Sequence, residues 1–228
     1  MSIAPFPSRW PAQHPERIQL YSLATPNGQK VSVALEELGL PYEAHRIDII
    51  AGDQFDPEFV AINPNSKIPA IIDPHGGDDG GPLAIMESGA ILLHLAEKGG
   101  GLLPEAPGAR SQVIQWLFFQ VGSVGPMFGQ FGHFYKFARG KTDGYGAQRY
   151  ATEVTRLLGV LERRLAGREY LVDDFSVADI AVAPWVKGLA FYGGLDVIRY
   201  HDFPTVDAWL QRFLARPAVA RGMEVCPF

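Results

Sequence analysis

The 228-residue chain has almost no cysteine: Cys226, third from the C-terminus, is the only one. One cysteine per chain excludes an internal disulfide framework, a CxxC redox pair and a cysteine-based zinc site. It fits a reducing compartment, and a cytoplasmic location is expected. The six histidines are scattered, without HExxH or HxH spacing, so no metal is expected. Basic residues are not in excess: 20 Lys and Arg face 25 Asp and Glu, for a formal net charge of -5. That balance excludes the basic footprint of a nucleic-acid binder, and no polybasic patch suggests a membrane surface. No apolar run approaches the roughly 18 residues of a membrane span. Residues 1–15 hold four prolines, Arg9 and Trp10 but no continuous apolar stretch, so no secretory signal is expected.

What is present is an ordinary globular composition, 47% hydrophobic and 20% charged, long enough for one large domain or two modest ones. Residues 1–16 read as an irregular Pro-rich arm, because successive prolines forbid regular ladders. Residues 17–101 have a β-α-β-α-β-β-α order. Strands are expected at Ile18–Ser22, Tyr42–Ile49, Ile68–Ile72 and Leu83–Met86, and helices at Gln29–Leu38, Pro57–Ile62 and Ser88–Lys98. Asp73–Pro82, rich in Gly and Asp, reads as a hairpin loop. Residues 102–108 form the linker. From 109 to 228 the strand signals vanish. Helical spacing marks Ser111–Val121, and Gly122, Gly125 and Pro126 are expected to break or kink the chain after it. It also marks Tyr145–Leu165 and Val206–Ala215. Ser176-Val177-Ala178-Asp179 is a capping box, a folding device with Phe175 placed as a staple. The fold class is therefore a small α/β domain with a four-stranded sheet, then an all-α helical bundle.

That order, with Asn63-Pro64-Asn65-Ser66-Lys67-Ile68-Pro69-Ala70 and Glu87-Ser88-Gly89-Ala90-Ile91, resembles the glutathione transferase family over residues 17 to 222. Thr25-Pro26-Asn27-Gly28, Gly52-Asp53-Gln54-Phe55 and Gly132-His133-Phe134-Tyr135 look like its bacterial nu class, related to Ure2p. The resemblance implies a thioredoxin-like N-terminal domain with a mixed sheet, a homodimer, and glutathione as co-substrate beside a small disulfide or an electrophile. The implied activity is glutathione-dependent disulfide reduction. Conjugation of electrophiles, or non-enzymatic glutathione binding in a regulatory role, remain alternatives.

Glutathione offers two carboxylates, an ammonium, amides and a thiol that reacts as thiolate, so a site must supply donors or positive charge. Thr25 opens the first helix, where its hydroxyl, the Asn27 N–H and the helix N-terminus can face an anion. Related transferases keep a serine or cysteine thiol-activator there; locally, Thr-Pro-Asn-Gly is equally a good turn and cap. Tyr21 and Ser22 are rivals, though strand alternation puts Tyr21 in the core. Ile68-Pro69 resembles the family's cis-proline, which presents the Ile68 backbone to an extended peptide; a strand start is the bland alternative. Lys67 beside it could bind the glycyl carboxylate or be merely solvated. Glu87 and Ser88, at a strand-to-helix junction, suit the γ-glutamyl ammonium and carboxylate, although serine is also the commonest cap. Gln54 and Arg149 are carried over by family position. Gln54 is a hydrogen-bonding side chain over the ligand, and Arg149 a cation from the helical domain or a solvated helix charge. Phe128, Phe131, Phe134, Tyr135 and Phe137 are expected in the core or on an apolar second-substrate wall.

Overall fold

The computed structural model describes residues 6–141 and 143–228. Its residues form two compact units: the chain up to Gly101 together with Pro217–Phe228, and Leu102–Arg216.

The first unit is built on a four-stranded sheet in the order β2-β1-β3-β4, from β1 (Ile18–Ser22), β2 (Tyr42–Arg46), β3 (Ala70–Asp73) and β4 (Leu83–Met86). β1 and β2 are parallel, whereas β3 is antiparallel to both β1 and β4. The sheet is thus mixed, in the thioredoxin-like manner. Register decides which residues share a face. Tyr21 pairs with Ala70, and Leu20 with Ile71. Alternation therefore puts Tyr21, Ala70 and Ile72 on one side and Leu20 and Ile71 on the other. The Tyr21 side is a core with Ile47, Phe59 and Ile62, the last two from α2 (Pro57–Ile62). The opposite side carries α1 (Pro26–Leu38) and α3 (Ser88–Gly99). Fully buried Asp73 of β3 ties α3 to the sheet, accepting from His94 Nε2 at 2.7 Å and Lys98 Nζ at 3.0 Å.

Element boundaries reflect local chemistry. α1 starts three residues before its expected Gln29, since Thr25 caps it and Pro26 takes the first position, where no N–H is needed. β2 stops at Arg46 rather than Ile49, because Asp48 Oδ1 captures the backbone N–H groups of Ile50 and Ala51. β3 starts at Ala70, beyond Pro69, which has no N–H to give a ladder.

The arm residues 6–16 hold neither helix nor strand, yet the backbone N–H groups of Arg9, Gln13 and His14 are taken by acidic side chains. Glu43 accepts the N–H groups of Gln13 and His14, at 2.9 and 2.7 Å. Glu58 accepts Ser8 Oγ and the Arg9 N–H, at 2.6 and 2.9 Å. Trp10 packs edge-on against Phe59. Residues 1–5 of the expected arm lie outside the described residues.

The second unit is helical: α4 (Pro107–Phe119), α5 (Gly125–Gly132), α6 (Tyr145–Leu165), α7 (Val177–Tyr192) and α8 (Pro204–Leu214). At Gly122 to Pro126, where a break or kink is expected, the chain stays helical but leaves the regular α geometry. A π-helical turn at Gln120–Val124 absorbs the irregularity, and Pro126 falls in the first turn of α5. The α6 stripe of Val154, Leu157, Leu158, Leu161 and Leu165 is fully buried. Of the aromatic group, Phe128 and Phe131 are buried, and Phe137 is 55% exposed. It ends a second π-helical turn, His133–Phe137.

The tail also departs from expectation. Residues 109–228 are expected to form one helical domain, but α9 (Pro217–Gly222) packs on α1, and the tail as far as Phe228 belongs to the first unit. Ser32 Oγ donates to the Gly222 carbonyl at 2.6 Å, and Gln29 Nε2 to that of Met223 at 3.1 Å. A Cβ on Gly222 would come within 2.6 Å of the Val33 Cα, so only glycine permits this approach. Contacts of this kind depend on two segments meeting in space, which helical spacing does not encode.

Candidate active site

Register brings one end of the sheet together. Tyr21, Ala70 and Met86 form one row across β1, β3 and β4, and His45 of β2 pairs with Tyr21. Since β3 runs antiparallel to its neighbours, the segments after β1, β2 and β4 and the one before β3 all leave by the same end. Those segments are 23–28, 47–56, 87–88 and 63–69. They carry Thr25, Asn27, Gln54, Lys67, Ile68, Glu87 and Ser88. The topology thus collects seven of the eight expected residues at one edge; Arg149 belongs to the other unit.

At this edge Thr25 is the N-cap of α1, its Oγ1 accepting from the Gly28 N–H at 3.3 Å. The hydroxyl proton is left to donate. Gly28 is required here, because a Cβ would collide with the Leu23 carbonyl oxygen. That close approach seats the start of α1 against the end of β1 and sets Thr25 and Asn27 at the rim, both half-buried. The rivals are withdrawn: Ser22 is 2% exposed, and Tyr21 is fully buried, stacked on His45 at 4.8 Å. Burial drives the Tyr21 phenol well above its ordinary range, which unsuits it to activate a thiol.

Gln54 stands on a 3-10 turn, Asp53–Phe55; its Nε2 donates to the Ile49 carbonyl at 3.3 Å, while its buried Oε1 has no hydrogen-bond partner among the described residues. The Ile68–Pro69 peptide is cis. Lys67 is exposed, and its carbonyl accepts from Asn63 Nδ2 at 2.6 Å. Asn63 Oδ1 also accepts the Asn65 N–H at 2.9 Å, so this buried amide clasps the loop at both ends. Sequence reasoning missed Asn63; its signal is an asparagine heading a Pro-Asn-Ser turn.

Glu87 is exposed and holds φ at 67°, an uncommon conformation for a non-glycine residue. It precedes α3 without capping it by its side chain, and buried Ser88 begins the helix. Two helix N-termini, of α1 and α3, therefore open at this edge and favour an anion. A second missed residue lies beneath: Lys30 of α1, 1% exposed, donates from Nζ to Ser88 Oγ at 3.1 Å. Burial lowers its pKa to about 7, against the opposing pull of Glu87. Its only sequence signal is a lysine flanked by the buried face of α1, among Val31, Val33 and Ala34.

Cys226 is not remote in space. Its carbonyl accepts the Ala24 N–H at 2.8 Å, one residue before Thr25. The thiol is buried, and burial pushes it up to about 11, so the thiolate is scarce at neutral pH. Among the described residues no group of three or more His, Cys, Asp and Glu side chains could hold a metal ion. Nor is any helix there long and apolar enough to cross a membrane.

In the helical unit Arg149 is exposed and lines a surface cavity with Met127, Tyr150, Thr152 and Glu153. Tyr150 stacks on Phe134 at 5.5 Å.

Two family descriptions match this chain: the glutathione S-transferase N-terminal domain over residues 24–98, and the corresponding C-terminal domain over 126–217. The disulfide-bond oxidoreductase YfcG of Escherichia coli is 44% identical over 207 residues, covering 90% of this chain and 94% of that protein. The chain belongs to the glutathione S-transferase family. It is an enzyme of that kind. Among solved transferases, one from Pseudomonas fluorescens with two glutathiones bound is 54% identical, with a TM-score of 0.93. That match covers 95% of this transferase and 96% of the other chain. One from Pseudomonas putida carries one glutathione disulfide per subunit and is 51% identical, with a TM-score of 0.92, covering 95% and 94%. The N-terminal family match spans Thr25, the 63–70 loop and Glu87-Ser88, the segments gathered at the sheet edge.

Proposed function

We propose that the protein is a glutathione-dependent disulfide-bond reductase that uses the thiolate of bound glutathione rather than a protein cysteine. Thr25 and Asn27 hold the sulfur; the Ile68 backbone and Gln54 pair with the peptide; Glu87 and Ser88 take the γ-glutamyl end; and Lys67 takes the glycyl carboxylate. Arg149 is assigned to glutathione binding on the resemblance alone. The protein acts as a homodimer, and sedimentation equilibrium of the purified chain should return twice the chain mass.

The observation that carries this function is the polarity of the Thr25 hydroxyl. Its acceptor side is engaged by Gly28 N–H, so its single proton is directed to another acceptor, and a thiolate is one. The bound thiolate attacks one sulfur of a disulfide, forming a mixed disulfide and releasing the other half as thiolate. A second glutathione thiolate then attacks the mixed disulfide, giving glutathione disulfide and the second reduced product. Electrons balance: two glutathiones are oxidised as one disulfide is reduced. The buried Cys226, with its raised pKa, has no part in either step. Glutathione and glutathione disulfide bound to the Pseudomonas relatives are a substrate and a product of this sequence.

Neutral donors activate a thiol moderately, which suits disulfides better than unreactive carbon electrophiles. The test compares kcat/KM for bis(2-hydroxyethyl) disulfide and for chlorodinitrobenzene on one preparation, beside Thr25→Ala. Faster disulfide reduction, lowered about tenfold or more by Thr25→Ala, is expected, the loss of a donor aimed at developing charge. Strong conjugation with negligible disulfide turnover would instead make it a conjugating transferase. Negligible turnover of both, with glutathione still bound, would make it a binding protein.

A further inference from the structure

A buried lysine is costly unless it is used, because desolvation disfavours its charged form. Lys30 sits in the second turn of α1, on the side that meets α3, and reaches Ser88 Oγ at the very start of that helix. An ammonium donates and never accepts. A serine hydroxyl that accepts from it has one proton left, and that proton must point to another acceptor.

We propose that Lys30 is a positioning residue for the carboxylate end of the ligand: by donating to Ser88 Oγ it turns the serine proton outward, so that the start of α3 receives an anionic oxygen. The proposal rests on Ser88 receiving the γ-glutamyl carboxylate and adds to it a residue that sets the polarity of that contact. Once Lys30 is neutral its nitrogen has a lone pair, Ser88 can donate inward to it, and the outward donor is lost.

The device is therefore sensitive to pH. The charge set against Lys30 is Glu87, which favours the ammonium. Of the other charged groups on these elements, His94 and Lys98 of α3 pair with Asp73, Arg221 of α9 pairs with Glu36 of α1 at 2.7 Å, Glu97 of α3 is exposed, and Glu37 lies half-buried towards the far end of α1. Protonated Lys30 is the binding form, so affinity for the carboxylate falls as pH rises past neutrality. By linkage, bound carboxylate raises the pKa of Lys30.

The experiment measures binding of S-methylglutathione by calorimetry, which removes the titration of the thiol, from about pH 6 to about pH 8. The proteins are the wild type, Lys30→Met, Ser88→Ala and the double variant. A glutathione analogue lacking the γ-glutamyl α-carboxylate serves as control. Lys30→Met should weaken S-methylglutathione about tenfold or more at the lower pH, as expected of a contact that orients a charge-assisted hydrogen bond. It should add little on top of Ser88→Ala and leave the control unchanged. The wild type alone should show affinity declining with pH, and Ser88→Ala should flatten that profile, a readout independent of whether Lys30→Met folds. Undiminished binding by Lys30→Met, with Ser88→Ala weakened, would overturn the role of Lys30 and leave the carboxylate site standing. Unweakened binding by Ser88→Ala would overturn both. Equal weakening of the control would show that Lys30 merely supports the fold, and would also overturn the proposal.

Discussion

Single residues at the sheet edge are held by hydrogen bonds of fixed polarity. Thr25 accepts from Gly28, Ser88 from Lys30 and the Lys67 carbonyl from Asn63, each with its donor fixed inside the first unit. Cys226 shows the opposite arrangement: its carbonyl is used and its thiol is buried. Because the proposed chemistry takes both sulfurs from glutathione, Cys226→Ser should keep nearly full disulfide reductase activity. A loss of about a hundredfold or more, some 2.7 kcal/mol of barrier, in a folded variant would sink the mechanism. Thr25, Glu87 and Ser88 could be picked out from their motifs. Lys30 could not, since a helical lysine reads as solvated until the neighbouring helix that buries it is known.

Among the elements, α7 depends on a buried carboxylate. Ser176 and Asp179 form the expected capping box, but Asp179 does more than cap. Fully buried, it also accepts the Leu171 N–H at 2.9 Å and Trp209 Nε1 of α8 at 2.9 Å. One side chain thus fastens the preceding loop, the start of α7 and α8. Asp179→Ala removes the return half of the capping box and strands three buried donors, the Ser176 and Leu171 N–H groups and Trp209 Nε1, so it should cost on the order of 3 kcal/mol or more. Chemical denaturation monitored by circular dichroism checks this, and a change below about 1 kcal/mol would mean water replaces the carboxylate. The cap itself was plain in Ser176-Val177-Ala178-Asp179. The Trp209 contact was not, being set by how α8 folds back.

At the scale of the whole molecule, the burial of Lys30 also shapes stability. In the ligand-free fold Lys30 releases its proton near pH 7, whereas a free lysine holds it to 10.5. Between those values the unfolded chain binds more protons, so this group makes stability rise with pH; below about 7 both states are protonated and the full burial cost stands. Lys30→Met should therefore be more stable than the wild type at neutral pH, with the difference shrinking towards pH 10. Denaturation curves at several pH values would show it, and a variant less stable throughout would contradict the burial cost. The sequence by itself determined the order of strands and helices in the first unit and the change to an all-helical second one, because periodicity, caps and turn chemistry act over a few neighbouring positions. Only the tertiary structure decided that Gly28 presses α1 onto β1, that the tail from Pro217 onward packs against α1, and that Lys30 lies buried under Ser88. Those outcomes depend on desolvation and close packing between segments far apart in the chain, where no local pattern carries the information.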